Sequence, residues 1–146
     1  MNVTILFGTE TGNAKQLAAR TGQALVEDQH QARAYQMDKV PPDQINRIGC
    51  LLIITSTHGE GEPPENARPL WQFLKDSDLD MSRTYYSVCG LGDSDYEHFC
   101  QCGRDFDQML SSHGAKRFFP MAECDAEFEF TFGHWLKGIR QKLAGR

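Results

Sequence analysis

Apolar residues along the chain alternate between two rhythms. Val3 to Phe7 is a compact apolar run closed by Gly8, the pattern of a buried strand. Lys15 to Val26 then has helical spacing, with Leu17, Ala18, Thr21 and Leu25 on one stripe. Ala32 to Met37 predicts a short second strand, and Met37-Asp38-Lys39-Val40-Pro41-Pro42 breaks regular structure before a helical turn over Asp43 to Arg47. Gly49 to Ser56 contains Leu51-Leu52-Ile53-Ile54, a continuous apolar run of the kind found in a central parallel strand covered on both faces. A helix is predicted from Glu65 to about Lys75, burying Leu70, Trp71 and Leu74. A fourth strand follows at Tyr85 to Gly90, and then a helix over Glu97 to Ser112 with Phe99, Phe106, Met109 and Leu110 inward. Lys116 to Phe119 reads as the fifth strand and Phe128 to Leu143 as the last helix.

Five strand–helix alternations predict an α/β domain with a parallel sheet. Right-handed crossovers leave few topologies, and a five-stranded, doubly wound sheet of order 2-1-3-4-5 with helices on both faces suits the length. Residues 1–146 are expected to form one domain. In that topology a ligand sits beyond the C-terminal ends of strands one and three. The loops after strands one, three and four therefore share one rim.

The first of these loops is Gly8-Thr9-Glu10-Thr11-Gly12-Asn13-Ala14. A strand that turns directly into a helix aims the helix's free N–H groups at the turn, which makes an anion site. Gly8 and Gly12 allow close backbone approach, and Thr9, Thr11 and Asn13 add side-chain donors. The loop lacks the G-K-[ST] ending of a triphosphate loop and the third glycine of a dinucleotide fingerprint. It has no Lys or Arg, so a monophosphate held by neutral donors fits it best; the bland alternative is a helix N-cap by Thr9 or Thr11.

Net charge is −5, which disfavours nucleic acid or an anionic membrane as the main partner. Its distribution says more. Residues 56–67, 91–100 and 120–132 hold ten of the twenty acidic residues and no Lys or Arg. If those segments meet, the molecule has one strongly negative face. No run approaches the roughly 18 apolar residues of a membrane helix. The N-terminus has no basic region before its apolar run, so no signal peptide is expected. The cysteines Cys50, Cys89, Cys100, Cys102 and Cys124 are odd in number and lack C-x-x-C spacing. Reduced, packed thiols in a cytoplasmic protein are expected rather than a disulfide frame; a redox or metal role for Cys100 and Cys102 is the weaker alternative.

The second loop, Ser56-Thr57-His58-Gly59-Glu60-Gly61, supplies hydroxyls and free backbone groups. The third, Leu91-Gly92-Asp93-Ser94-Asp95-Tyr96-Glu97-His98-Phe99-Cys100, supplies a turn and aromatics. With T-E-T-G-N-A in the first loop, S-T-H-G-E-G-E-P-P-E-N-A in the second and L-G-D-S-D-Y-E-H-F-C-Q-C-G-R-D-F-D in the third, the chain resembles the short-chain flavodoxins. It is similar above all to the FMN domain of sulfite reductase flavoprotein and cytochrome P450 reductase. The likeness spans the whole chain in the family's order and implies a flavodoxin-like three-layer sandwich with FMN as cofactor.

The resemblance implies that Thr9, Glu10, Thr11, Gly12, Asn13 and Ala14 surround the phosphate. It places Ser56, Thr57, His58 and Gly59 along the flavin ring and its N5 edge. Leu91, Gly92, Asp93, Tyr96, Phe99 and Cys100 would hold the other face and the pyrimidine edge, with Tyr96 stacked on the ring. Two departures stand out: many members end the phosphate loop in Thr where this chain has Ala14, and many have an aromatic where it has His58. His58 would then be either a pH-sensitive neighbour of the flavin or a partly exposed loop residue.

The expected function is that of a low-potential one-electron carrier, monomeric, passing electrons from a flavodoxin reductase to acceptor enzymes with basic faces. The alternative is the FMN domain of an NADPH-dependent diflavin reductase; the absence of a linker or nicotinamide-binding segment favours the carrier. A quinone reductase would require a substrate pocket that nothing here builds. A response regulator would require an acid pair and an aspartate where Gly8-Thr9 and Thr55-Ser56-Thr57 stand.

Overall fold

A computed structural model describes residues 1–146. The elements run β1 (Asn2–Gly8), α1 (Asn13–Glu27), β2 (Gln31–Gln36), β3 (Cys50–Ser56), α2 (Arg68–Asp76), β4 (Tyr85–Leu91), α3 (Gln101–Ser112), β5 (Lys116–Arg117), β6 (Ala122–Cys124) and α4 (Glu129–Leu143). Short 3-10 turns cover Met37–Lys39, Pro42–Arg47 and Glu65–Ala67. All strand pairs are parallel in the order β2-β1-β3-β4-β5, with β6 also paired to β4.

Two-residue alternation in the central strands divides the core into two layers. Val3, Ile5 and Phe7 of β1 and Leu52 and Ile54 of β3 pack with Leu17 and Leu25 of α1 and with Phe132, Trp135 and Ile139 of α4. Leu6, Leu51, Ile53, Tyr86 and Val88 face the other way, against Leu70 and Leu74 of α2 and Phe106 and Leu110 of α3. Helices therefore cover both faces, and β3 is buried along nearly its whole length. Trp135 is the largest fully buried side chain, and its indole N–H donates to Ser87 Oγ at 2.9 Å. Replacing such a residue by alanine costs ~3–5 kcal/mol.

The elements depart from the sequence reading in three places. The fifth strand is interrupted. Phe118 N–H still bonds to Tyr86 O, but Pro120 has no N–H to donate, and the chain rejoins β4 only at Ala122. The helix expected from Glu97 starts at Gln101, because residues 97–100 belong to the cleft loop and Cys100 takes a left-handed backbone, φ 55°. Phe99 is consequently only half-buried, and Met109, inside α3, is half-buried too. Trp71 is half-buried as well, because its indole N–H reaches across to Asp105 at 3.1 Å instead of entering the core. No helix is long and apolar enough to cross a membrane.

Candidate functional site

A cleft of about 370 Å³ opens at the C-terminal ends of β1, β3, β4 and β6. That volume is within the range of small-molecule and cofactor sites. Its floor and walls come from Glu10, Thr11 and Asn13; Ser56, Thr57 and Gly59; Leu91, Gly92, Asp93, Tyr96, His98, Phe99 and Cys100; and Asp125, Ala126 and Phe128.

One end is made of backbone. Gly12, φ 93°, caps α1 without any side-chain bond, so the first turn keeps its free donors. The N–H groups of Glu10, Thr11, Asn13, Ala14 and Lys15 donate to no protein acceptor, and α1 has no acidic residue in its first turn. The helix dipole adds partial positive charge at that point. Thr9 Oγ1 accepts the Gly12 N–H at 2.9 Å and holds the loop's turn closed. Several convergent neutral donors with no cation among them fit a phosphate group.

The other end is made of loops. Asp93 Oδ1 accepts the Asp95 N–H at 2.9 Å, and Asp125 Oδ1 accepts the Ser94 N–H at 3.0 Å. Asp125 also accepts the Ser94 hydroxyl and the Ala126 N–H, and these bonds hold its carboxyl below the ordinary aspartate range. Thr57 Oγ1 accepts the Cys102 N–H at 3.2 Å, tying the second loop to the start of α3. Gly92 is required by contact: a Cβ there would lie 2.8 Å from Cys100 N and 3.2 Å from Phe99 Cδ1. Tyr96 stands over the cleft with 64 % of its surface exposed, leaving a ring face free to stack on a planar ligand.

The thiols beside the cleft are not set up as nucleophiles. Burial pushes Cys100 and Cys102 up to about 12, and for Cys100 the nearby Glu123 adds to it. Hydrogen bonding with Cys124, 3.7 Å away between sulfurs, and burial raise Cys89 well above the usual thiol range. Cys89, Cys100 and Cys102, protonated at neutral pH, are packing groups here.

Twelve of the sixteen residues named from sequence line the cleft, and four do not. Thr9 and Gly12 shape the loop from behind. Ala14 is fully buried and packs its methyl into the core beneath α1, leaving only its N–H for the cleft. His58 points away, into a shallow groove with Glu62, Pro63, Glu65 and Arg68, where its Nδ1 contacts the Glu10 carboxylate. His98, Asp125, Ala126 and Phe128 line the cleft but were not named. The last three follow β6. The acidic run 120–132 was a signal for them, since a loop after the fifth strand must reach the same rim.

The Flavodoxin family model matches residues 5–135. The sulfite reductase [NADPH] flavoprotein alpha-component of Bacillus subtilis is 41% identical over 142 residues, which is 97% of this chain and 24% of that protein. Its counterpart from Thiocapsa roseopersicina is 39% identical over 97% of this chain and 27% of its own length. The chain thus spans about a quarter of the length of these curated relatives. Among solved structures, a cysteine mutant of the flavodoxin from Pseudomonas aeruginosa superposes with a TM-score of 0.86 at 27% identity, covering 99% of this chain and 100% of that one. A short-chain flavodoxin associated with a bacterial microcompartment shares the fold with a TM-score of 0.85 at 21% identity, covering 98% and 96% of the two chains.

Proposed function

The chain belongs to the flavodoxin family, whose cofactor is FMN, and from that premise we propose that it is a low-potential one-electron carrier between a reductase and acceptor proteins. The carrying observation is the cleft's division of labour: unpartnered N–H groups at one end, an exposed tyrosine face and acidic loops at the other. FMN supplies the electron-transfer chemistry; the chain binds it, orients it and sets its surroundings. In this reading Thr11, Asn13 and the first turn of α1 hold the phosphate, while Tyr96 and the loops from Ser56 and Leu91 hold the ring.

The rim residues disfavour added negative charge. Asp93, Asp95, Glu97, Asp125, Glu127 and Glu129 stand close together after β4 and β6, and only Glu129 is paired with an arginine, Arg20 at 2.9 Å. Such a field lowers the potential for a second electron and separates the two one-electron steps. It also steers basic partners. Phe130, 86 % exposed in the first turn of α4, adds an apolar contact beside the acids. We take the carrier to be cytoplasmic and monomeric, with basic-faced reductase and acceptor partners.

The test is a reductive titration of the purified protein followed by absorbance. The reading expects bound flavin and two electrons entering at separate potentials; no flavin, or both electrons at one potential, overturns it. A second reading, the FMN unit of an NADPH-dependent diflavin reductase, is favoured by the 41% identity to the sulfite reductase component. Rapid reduction by a separate flavodoxin reductase supports the carrier; reduction only by a tethered or dedicated NADPH-binding partner supports the second.

A further inference from the structure

Asn66 makes both of its side-chain hydrogen bonds to one residue of the phosphate loop. Its Oδ1 accepts the Thr9 N–H at 3.0 Å, and its Nδ2 donates to the Thr9 carbonyl at 3.1 Å. The sheet ladder between β1 and β3 ends one residue earlier, at Gly8 opposite Thr55. Asn66 therefore continues the pairing with a side chain where the neighbouring backbone has run out. Only a primary amide presents a donor and an acceptor side by side in this way. The hold passes onward, because the hydroxyl of Thr9 accepts the Gly12 N–H at 2.9 Å. Gly12 in turn opens α1, where the unpartnered N–H groups lie.

Neither Asn66 nor Thr9 lines the cleft; they face a shallow depression behind it, with Glu10, Asp38 and Glu65. We propose that Asn66 is the positioning residue of the phosphate loop, fixing the Thr9 peptide so that the loop's N–H groups converge on a phosphate that Asn66 never touches. It would thereby set the preference for FMN over riboflavin. Asn66 also follows the loop that carries Ser56, Thr57 and Gly59, so one connection anchors both ends of the ligand.

This inference rests on the FMN reading, and one experiment separates the two. Apoprotein is titrated with FMN and with riboflavin, following flavin fluorescence, and its thermal midpoint is recorded with and without inorganic phosphate. Wild type should prefer FMN and be stabilised by phosphate. Asn66→Ala should lose about tenfold or more in FMN affinity and less than about threefold in riboflavin affinity, and phosphate should no longer raise its midpoint. Asn66→Gln, which keeps the amide but displaces it, should fall between, and it carries the comparison if the alanine variant does not fold. Unchanged FMN affinity, or equal loss for both flavins, overturns the positioning role. A wild type that does not distinguish FMN from riboflavin removes the FMN reading and the inference with it.

Discussion

In the proposed reading, the groups that face the ligand at the phosphate end of the cleft are backbone N–H donors, held by Thr9, Gly12 and the start of α1. At the ring end they are side chains on exposed loops, held by carboxylates and hydroxyls that bond neighbouring backbone. In the first arrangement the donors are neutral and fixed by the backbone, and the loop from Gly8 to Ala14 holds no Lys or Arg. The second contains most of the molecule's acidic rim and the exposed Tyr96. A rigid backbone cradle suits affinity, because its donors are already aligned before binding. Exposed loops suit contact with partners and adjustment of the cofactor's electronics. On that reading the same cleft divides holding from use.

The sharpest way to break that division is at Thr11, whose side chain lines the phosphate end. Thr11→Ala should weaken FMN by ~1.5–3 kcal/mol, the scale of one hydrogen bond to a charged group, and leave riboflavin nearly unchanged. Calorimetric titration of both flavins measures it; equal weakening would place the phosphate elsewhere.

Next in size is the rim. Neutralising Glu62, Glu65 and Asp95 together should slow association with a basic electron partner by about tenfold at low salt. The wild-type rate should itself fall as salt screens charges beyond ~10 Å at 0.1 M. Fold stability should barely change, because Glu62 makes only an exposed 3.5 Å contact with Arg68 and such pairs contribute little. Stopped-flow rates against ionic strength decide the matter, and a flat profile would mean that apolar contact controls docking.

Tyr96 should matter less for affinity than Thr11 and far more for light emission. Tyr96→Ala should cost ~0.5–1.5 kcal/mol of flavin binding, the scale of an aromatic stack, and restore fluorescence to the bound flavin. An unchanged emission yield at saturation would take Tyr96 out of the ring site.

The smallest effect separates the two ends by pH. The Asp125 carboxyl is held below its ordinary value of 3.8 by the Ser94 hydroxyl and the Ser94 and Ala126 N–H groups. Its contribution is complete above that ordinary value and is lost as pH falls through the depressed one. Amide exchange at Ser94, corrected for the intrinsic rate, should therefore speed up below pH 3.8, before any change at Gly12. Asp125→Asn should remove the pH dependence at Ser94. Acid loosening of Gly12 first would reverse the comparison.

Much of this molecule follows from local pattern. Leu51 to Ile54 specify a buried central strand because no other placement hides four consecutive apolar side chains on both faces. The stripe of Leu17, Ala18, Thr21 and Leu25 predicts which face of α1 meets the sheet, and all four are fully buried. Once strand and helix alternate, crossover handedness brings the three motif loops to one rim, so most of the cleft is legible in the sequence. What the pattern leaves open depends on long-range contacts. Whether a loop residue turns into the cleft or away from it is decided by neighbours distant in sequence: His58 meets Glu10, and Ala14 meets the core. The late start of α3 depends on Cys100 packing beside Gly90 of β4, whereas the fifth strand breaks where Pro120 has no N–H to give the ladder. Asn66 falls inside the second motif, but the motif does not reveal its role, which exists only where a turn after β3 comes to lie beside the end of β1, 57 residues earlier. Periodicity determines which faces are buried, since burial is a property of each residue and its near neighbours. Pairing of polar groups across the fold is a property of two distant segments, and only the tertiary structure brings them together.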